Sequence, residues 1–217
     1  MDTMTAWRQV KPLVHVRFEA LVSPQEIPMM RRNKGMCGQV IERTIGLSPG
    51  SRLLDFTDGD LKTYKCDAGG HPEETMQIHQ VGDEIDELVE KVPFRSTNLY
   101  RKTSRFIVLG ICKQALDPAR WFISIARLVD ARPGTHWFAE FEASYRQILE
   151  EFDAHLARTG SFHTSNGALI QLRTKDAMPY RPLVSRSLGR QICGKNIAFY
   201  FRKAFMERLL QPGAHAL

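Results

Sequence analysis

Apolar residues in this chain recur with two different periods, and segments of the two kinds alternate along the sequence. A stripe at helical spacing through 138–156 predicts a long amphipathic helix. Largely apolar runs at 106–111 and 121–129 predict buried strands instead. Shorter elements follow: helices at 34–45, 85–92 and 204–210, and strands at 168–173 and 197–202. This alternation indicates a mixed α/β protein, and 217 residues are enough for a substantial hydrophobic core.

Several classes of protein are disfavoured by the composition. No apolar run approaches the roughly 20 residues that a bilayer span needs, and the N-terminus lacks the apolar region of a secretory signal. The four cysteines lie far apart, and the seven histidines show no zinc-ligand spacing. We therefore expect no membrane partner and no disulfide scaffold, and the expected location is the reducing cytoplasm.

Net charge gives the first indication of a partner. The chain carries +6, and from Gln171 onward nine basic side chains stand against two acidic ones. The rest of the chain is close to neutral. A basic C-terminal region favours a polyanion, nucleic acid before membrane, although charge alone leaves a solvated basic surface as an equal alternative.

The dipeptide Asp58-Gly59 predicts a two-residue β-hairpin. In that register Asp55 pairs with Lys62, and Asp55, Asp60 and Lys62 share one face. Two carboxylates beside an ammonium suit a Mg²⁺ site for phosphodiester hydrolysis, because Mg²⁺ prefers oxygen ligands and takes few carboxylates. Considered alone, the same pattern is more typical of a surface hairpin with a weak ion pair.

Glu42 is a third candidate carboxylate. Gly38 and Gly35 precede it by one and two turns of the predicted helix, so small residues leave it approachable from a phosphate. In isolation, a solvent-exposed glutamate beside Arg43 is the simpler interpretation.

In combination, these residues resemble the MutH family: the mismatch-repair DNA nickase and related type II restriction endonucleases of the PD-(D/E)xK class. The matching blocks occur in one order between residues 34 and 210. They are Lys34-Gly…Gly38…Glu42, Asp55-Phe56…Asp60-Leu61-Lys62-Thr63, Pro72-Glu-Glu-Thr-Met76, Arg101-Lys102…Arg105, Ile170-Gln-Leu-Arg-Thr-Lys175 and Ala198-Phe-Tyr-Phe-Arg-Lys-Ala-Phe205. The resemblance implies one domain over 1–217 with a mixed central sheet flanked by helices. Two lobes, about 1–110 and 111–217, would surround a DNA cleft.

The resemblance also implies roles for individual residues. Asp55 and Asp60 would hold Mg²⁺, Lys62 would be the catalytic lysine, and Glu42 would be an additional active-site acid. Five further residues match positions that approach DNA: Lys34, Lys102, Arg173, Lys175 and Tyr200.

The implied activity is Mg²⁺-dependent hydrolysis of phosphodiesters in double-stranded DNA to 5′-phosphate ends. Asp60 stands where the family usually has Glu, the spacing from Asp55 is shorter than in the repair enzyme, and that enzyme's Thr-Leu-Gly-Glu-Leu string is missing from 1–30. These departures favour a type II restriction endonuclease, paired with a cognate methyltransferase. The alternatives are a repair nickase that acts with MutL at hemimethylated sites, and a non-catalytic DNA-binding module. Monomer and homodimer both stay open.

Overall fold

The architecture is that of a mixed α/β protein. The computed structural model describes residues 1–33, 35–48, 53–176 and 178–211. The helices of this part of the chain are α1 (Thr3–Val10), α2 (Ile27–Arg32), α3 (Met36–Thr44), α4 (Ile85–Val89), α5 (Asn98–Thr103), α6 (His136–Thr159) and α7 (Lys203–Arg208). Its strands are β1 (Asp60–Cys66), β2 (Met76–Gln80), β3 (Arg105–Cys112), β4 (Phe122–Asp130), β5 (Ser165–Asn166), β6 (Ile170–Lys175), β7 (Leu183–Ser185), β8 (Arg190–Cys193) and β9 (Asn196–Phe201). Within the same ranges, no helix is both long enough and apolar enough to cross a bilayer.

The chain divides into two compact units, each built from separated segments. The first unit contains the described residues of 1–76, 105–130 and 206–217, and the second contains those of 77–104 and 131–205. The lobes in the sequence analysis are continuous halves instead. The chain passes from the first unit to the second after Met76, at the start of β2, and returns to the first at Arg105, where β3 begins. No change in composition marks these two points in the sequence. The assignment of 1–217 to one domain of the MutH type stays a prediction.

The first unit is organised around a three-stranded sheet in the order β1-β3-β4. β3 pairs in parallel with β1 and antiparallel with β4, and nearly all its residues are buried, as its apolar sequence predicts. Buried apolar residues of α1 and α3, such as Val10 and Ile41, form one hydrophobic core with residues of the sheet such as Ile107. Gly46 lies in the left-handed region at φ 79° and ends α3 at the predicted position.

The second unit contains a four-stranded sheet in the order β2-β9-β6-β5 and the long helix α6. Thr135 caps α6 by accepting a hydrogen bond from the Phe138 backbone N–H, and Gly160 ends the helix at φ 69°. Phe141 of α6 contacts Phe201 of β9, with ring centroids 5.3 Å apart. The predicted helical stripe is therefore the face that covers the core.

The acidic segment 73–90 has a structural role that its charge alone does not reveal. The carboxylate of Asp86 on α4 accepts hydrogen bonds from the Ser185 hydroxyl at 2.5 Å and from the Arg186 backbone N–H at 3.1 Å. It also accepts one from the backbone N–H of Ser187 at 3.4 Å. These bonds hold the turn between β7 and β8, so part of the acidic segment anchors a hairpin.

The prediction of a hairpin at Asp58-Gly59 is wrong. The described residues before Asp60 form no strand, and β1 pairs with β3 instead, with Asp60 opposite Phe106 and Lys62 opposite Val108. The Phe56 backbone N–H donates to the Gly59 carbonyl at 2.9 Å, which closes a tight loop at the head of β1. Asp55 therefore does not pair with Lys62 across a ribbon.

Candidate active site

The head of β1 carries an acid–base pair that is enclosed by the first unit. Asp60 and Lys62 point to the same face of β1, since side chains alternate along a strand. The Lys62 Nζ lies 2.5 Å from the Asp60 Oδ2. Asp60 is fully buried and Lys62 is 9% exposed, so the ion pair lies in a region of low dielectric where Coulomb interactions are strong.

Asp55 joins this pair through the tight loop. Its carboxylate Oδ2 accepts a hydrogen bond from the Leu61 backbone N–H at 2.9 Å, and its own backbone N–H donates to the Asp60 Oδ1 at 3.3 Å. The sequence analysis expects Asp55 beside Asp60 and Lys62, and the structure brings the three together by this different route.

Glu42 approaches the same group from α3. Its Oε1 lies 3.9 Å from the position that a Cβ on Gly38 would take, and Thr63 of β1 borders that position at 3.8 Å. Glu42 is half-buried. The small Gly38 thus leaves room for the Glu42 carboxylate beside β1, as its position one turn upstream suggests.

Electrostatic effects also connect these carboxyl groups. Burial, followed by the hydrogen bond and the charge of Asp60, raises the pKa of Asp55 to about 7. Burial also raises the pKa of Glu42, the charge of Asp60 adds to that effect, and the charge of Lys62 opposes it. Asp55 and Glu42 therefore hold their protons more readily than ordinary carboxyl groups do.

The donor set suits a hard divalent cation. Carboxylate oxygens of Asp55 and Asp60 are the ligands that Mg²⁺ prefers, and Mg²⁺ commonly takes one or two carboxylates together with water. In the described ranges, no three or more His, Cys, Asp or Glu residues form a group that could hold a metal by themselves. This arrangement fits Mg²⁺ better than a structural zinc site, which needs a closed set of four protein ligands.

The residues expected at DNA lie mainly on the second unit. On β6, Arg173 and Lys175 occupy alternate positions and share a face, as predicted, while Leu172, the residue before Arg173, is fully buried on the opposite face. The Arg173 guanidinium lies over the Tyr200 ring of β9, with its carbon 4.2 Å from the ring centroid. Lys102 lies near the end of α5, half-buried. Lys34 falls outside the described residues.

Similar sequences among curated proteins carry one name, "DNA mismatch repair protein MutH". The protein of Haemophilus ducreyi is 26% identical over an alignment of 196 residues, which covers 85% of this chain and 80% of the relative. That of Haemophilus influenzae strain 86-028NP is 26% identical over 219 residues, 94% of this chain and 92% of the relative. The Pasteurella multocida protein is 23% identical over 218 residues, 94% and 92% of the two chains. The resemblance to the MutH family is confirmed. No protein-family model matches the chain.

The MutH likeness extends over nearly the whole chain rather than over a catalytic motif alone. These relatives are all named as mismatch repair proteins. They therefore support the repair alternative better than the restriction endonuclease that the sequence analysis favours. The departures at Asp60 and in 1–30 remain differences from the MutH pattern.

Sequence reasoning missed the contacts of Asp58, which it assigns to a turn. The Asp58 carboxylate instead binds Thr3 and Arg105, which lie 55 and 47 positions away along the chain. No local pattern signals contacts at such separations. In the sequence, the only sign of a special role for Asp58 is its position between the two candidate metal ligands, Asp55 and Asp60.

Proposed function

We propose that this protein is a Mg²⁺-dependent endodeoxyribonuclease of the MutH type with the PD-(D/E)xK fold, two lobes and DNA bound between them. The observation that carries the proposal is the buried Asp60–Lys62 pair at the head of β1, with the Asp55 carboxyl against it. A buried structural ion pair is an ordinary feature of proteins. A second carboxyl group placed against it is unfavourable for stability and points to a catalytic use.

The chemistry follows from these groups. Asp55 and Asp60 would hold Mg²⁺, which supplies Lewis-acid activation of the phosphate and acidifies water. Lys62, fixed by Asp60, would place its ammonium where negative charge develops on the phosphate. Glu42, half-buried beside them, would accept a proton or a hydrogen bond from water. The products would be 5′-phosphate and 3′-hydroxyl ends.

Binding to DNA would use the basic second unit. Arg and Lys contacts with phosphates give affinity that depends on salt, and contacts with base edges give sequence preference. Lys102, Lys175 and Lys34 are candidates for the first role, and Arg173 with Tyr200 for the second. Arginine is the residue that most often contacts guanine.

We further propose that the cleavage belongs to mismatch repair, with MutL as partner. The support is the name that the relatives share and the 93–94% of the chain over which H. influenzae and P. multocida sequences align. A type II restriction endonuclease is the second candidate, because Asp60 and the short spacing to Asp55 depart from the repair enzyme.

Cleavage of supercoiled plasmid tests the proposal. We expect nicking in Mg²⁺, none in EDTA, and faster nicking when purified MutL is added. The nicking rate should also differ between hemimethylated and fully methylated DNA. Double-strand cleavage at mapped sites, unaffected by MutL, would support the restriction enzyme. DNA binding without cleavage at any salt concentration would show a non-catalytic binding module.

Replacement of Arg173 by alanine is expected to relax sequence preference and to weaken specific binding by about 1–3 kcal/mol, if Arg173 contacts a base edge. Lys175→Ala should instead weaken binding to all sequences alike. The slope of the logarithm of the binding constant against the logarithm of the salt concentration should become shallower by about one. Arg158→Ala, an exposed site on α6, is the matched control for charge. Fluorescence anisotropy with cognate and random duplexes measures all three. Equal losses for Arg173→Ala on both duplexes would contradict the assignment.

A further inference from the structure

The carboxylate of Asp58 ties together three separate parts of the first unit. Its Oδ1 accepts hydrogen bonds from the Thr3 backbone N–H and hydroxyl, both at 2.7 Å. Its Oδ2 accepts one from the Arg105 guanidinium at 2.8 Å. Thr3 begins α1 and Arg105 begins β3, so both oxygens of Asp58 are committed to elements outside its own loop.

Gly59 allows this loop to pack against both elements. A Cβ at Gly59 would lie 2.4 Å from the Thr3 Oγ1 and 2.5 Å from the Arg105 carbonyl oxygen, distances that real Cβ atoms do not show. The Thr57 backbone N–H donates to the Met1 carbonyl at 3.0 Å on the same side. The middle of the loop 55–60, at residues 57–59, is therefore held against the start of α1.

The ends of this loop are the two candidate metal ligands. The hydrogen bonds described above bring Asp55 and Asp60 together where the loop begins and ends. Asp58 lies between them in the chain, in the part of the loop that is bonded to α1 and β3. We infer that Asp58 is a positioning residue, which holds the Asp55 carboxylate against Asp60 so that both can bind one divalent cation. The inference rests on the proposed function, because it takes Asp55 and Asp60 to be the ligands of the catalytic cation.

Anchoring α1 is the competing explanation, and the structure gives that task a separate residue. Asp2 caps α1, since its carboxylate accepts hydrogen bonds from the Thr5 backbone N–H at 2.8 Å and from the Thr5 hydroxyl at 3.1 Å. The Asp2 carboxylate bonds to Thr5 within the first turn of α1, whereas Asp58 bonds to both α1 and β3, so the two aspartates offer a comparison.

The test compares Asp58→Ala with Asp2→Ala in the full chain. Mn²⁺ binding, followed by electron paramagnetic resonance, is measured beside the melting temperature and the kcat for plasmid nicking. We expect about tenfold weaker Mn²⁺ binding for Asp58→Ala, as is typical when a residue that orients a metal ligand is removed. Asp2→Ala should lower the melting temperature and leave Mn²⁺ affinity within about twofold of the wild type.

A second pair of variants covers the case in which Asp58→Ala does not fold. Thr3→Val removes the hydroxyl donor and keeps the shape of the side chain, and Thr3→Ser restores the donor. We expect weaker Mn²⁺ binding for Thr3→Val and recovery for Thr3→Ser. Mn²⁺ affinities of folded Asp58→Ala or Thr3→Val that equal the wild-type value would overturn the inference and leave the proposed nuclease standing. Wild-type protein that binds no Mn²⁺ would overturn both.

Discussion

Replacement of Lys62 by alanine is expected to slow DNA cleavage by about 10³-fold while DNA binding in Ca²⁺ stays within a few-fold of the wild type. The Lys62 ammonium forms an ion pair with the Asp60 carboxylate, at 2.5 Å. Its ammonium would meet the charge that develops on the phosphate, an interaction that strengthens in the transition state rather than in the bound ground state. Single-turnover cleavage and anisotropy separate the two quantities.

The control for this variant lies on the same strand. Lys65 of β1 points to the opposite face, has a side chain that is 42% exposed, and pairs with Glu73 at 2.6 Å. Lys65→Ala should cleave at nearly the wild-type rate. Because Lys62→Ala removes the ammonium from a buried ion pair, which costs about 3–5 kcal/mol in comparable pairs, its folding is checked by circular dichroism. A folded Lys62→Ala protein that cleaves as fast as Lys65→Ala would remove Lys62 from the mechanism.

Replacement of Asp55 by asparagine is expected to have opposite effects on activity and stability. Cleavage should fall by about 10²-fold or more, because a carboxylate ligand is lost. Metal-free protein at pH 8 should melt about 2–4 °C higher, the shift that about 1 kcal/mol produces in a protein of this size. The reason is that an amide can donate a hydrogen bond to the Asp60 carboxylate, whereas two carboxylates repel each other. The amide oxygen can still accept the bond from the Leu61 N–H.

Mg²⁺ separates this explanation from a general effect of charge. Saturating Mg²⁺ should raise the melting temperature of the wild type and leave that of Asp55→Asn nearly unchanged, since a ligand stabilises only the state that binds it. Asp83→Asn, an exposed change of the same charge in the second unit, should alter neither value. If Asp55→Asn melts at a lower temperature than the wild type in the absence of metal, the Asp55 carboxylate stabilises the fold, which would contradict this explanation.

Long elements with a clear apolar period could be predicted from the sequence. The stripe 138–156 lies within α6, and the apolar runs at 106–111 and 121–129 correspond to β3 and β4, because burial of one face or of a whole strand leaves a pattern in the sequence itself. The end of α3 at Gly46 was predictable for the same kind of reason, since a positive φ there favours glycine.

Pairing between distant segments could not be predicted in this way. Asp58-Gly59 has a strong local preference for a hairpin, yet β1 pairs with β3, more than forty positions along the chain. The local pattern therefore predicts a turn at Asp58, whereas the contacts of Asp58 with Thr3 and Arg105 depend on the tertiary fold. The same-face relation of Asp60 and Lys62 was predictable, because alternation within one strand does not depend on which strand it pairs with.

The central claim is that Asp55, Asp60 and Lys62 form a site for a divalent cation that serves phosphodiester cleavage. Titration of Mn²⁺ into wild-type protein and into Asp60→Asn, with a DNA duplex present and the bound ion observed by electron paramagnetic resonance, tests it most directly. We expect a saturable Mn²⁺ signal in the wild type and its loss in Asp60→Asn, which still binds the duplex. An Asp60→Asn protein that binds Mn²⁺ with wild-type affinity would contradict the claim.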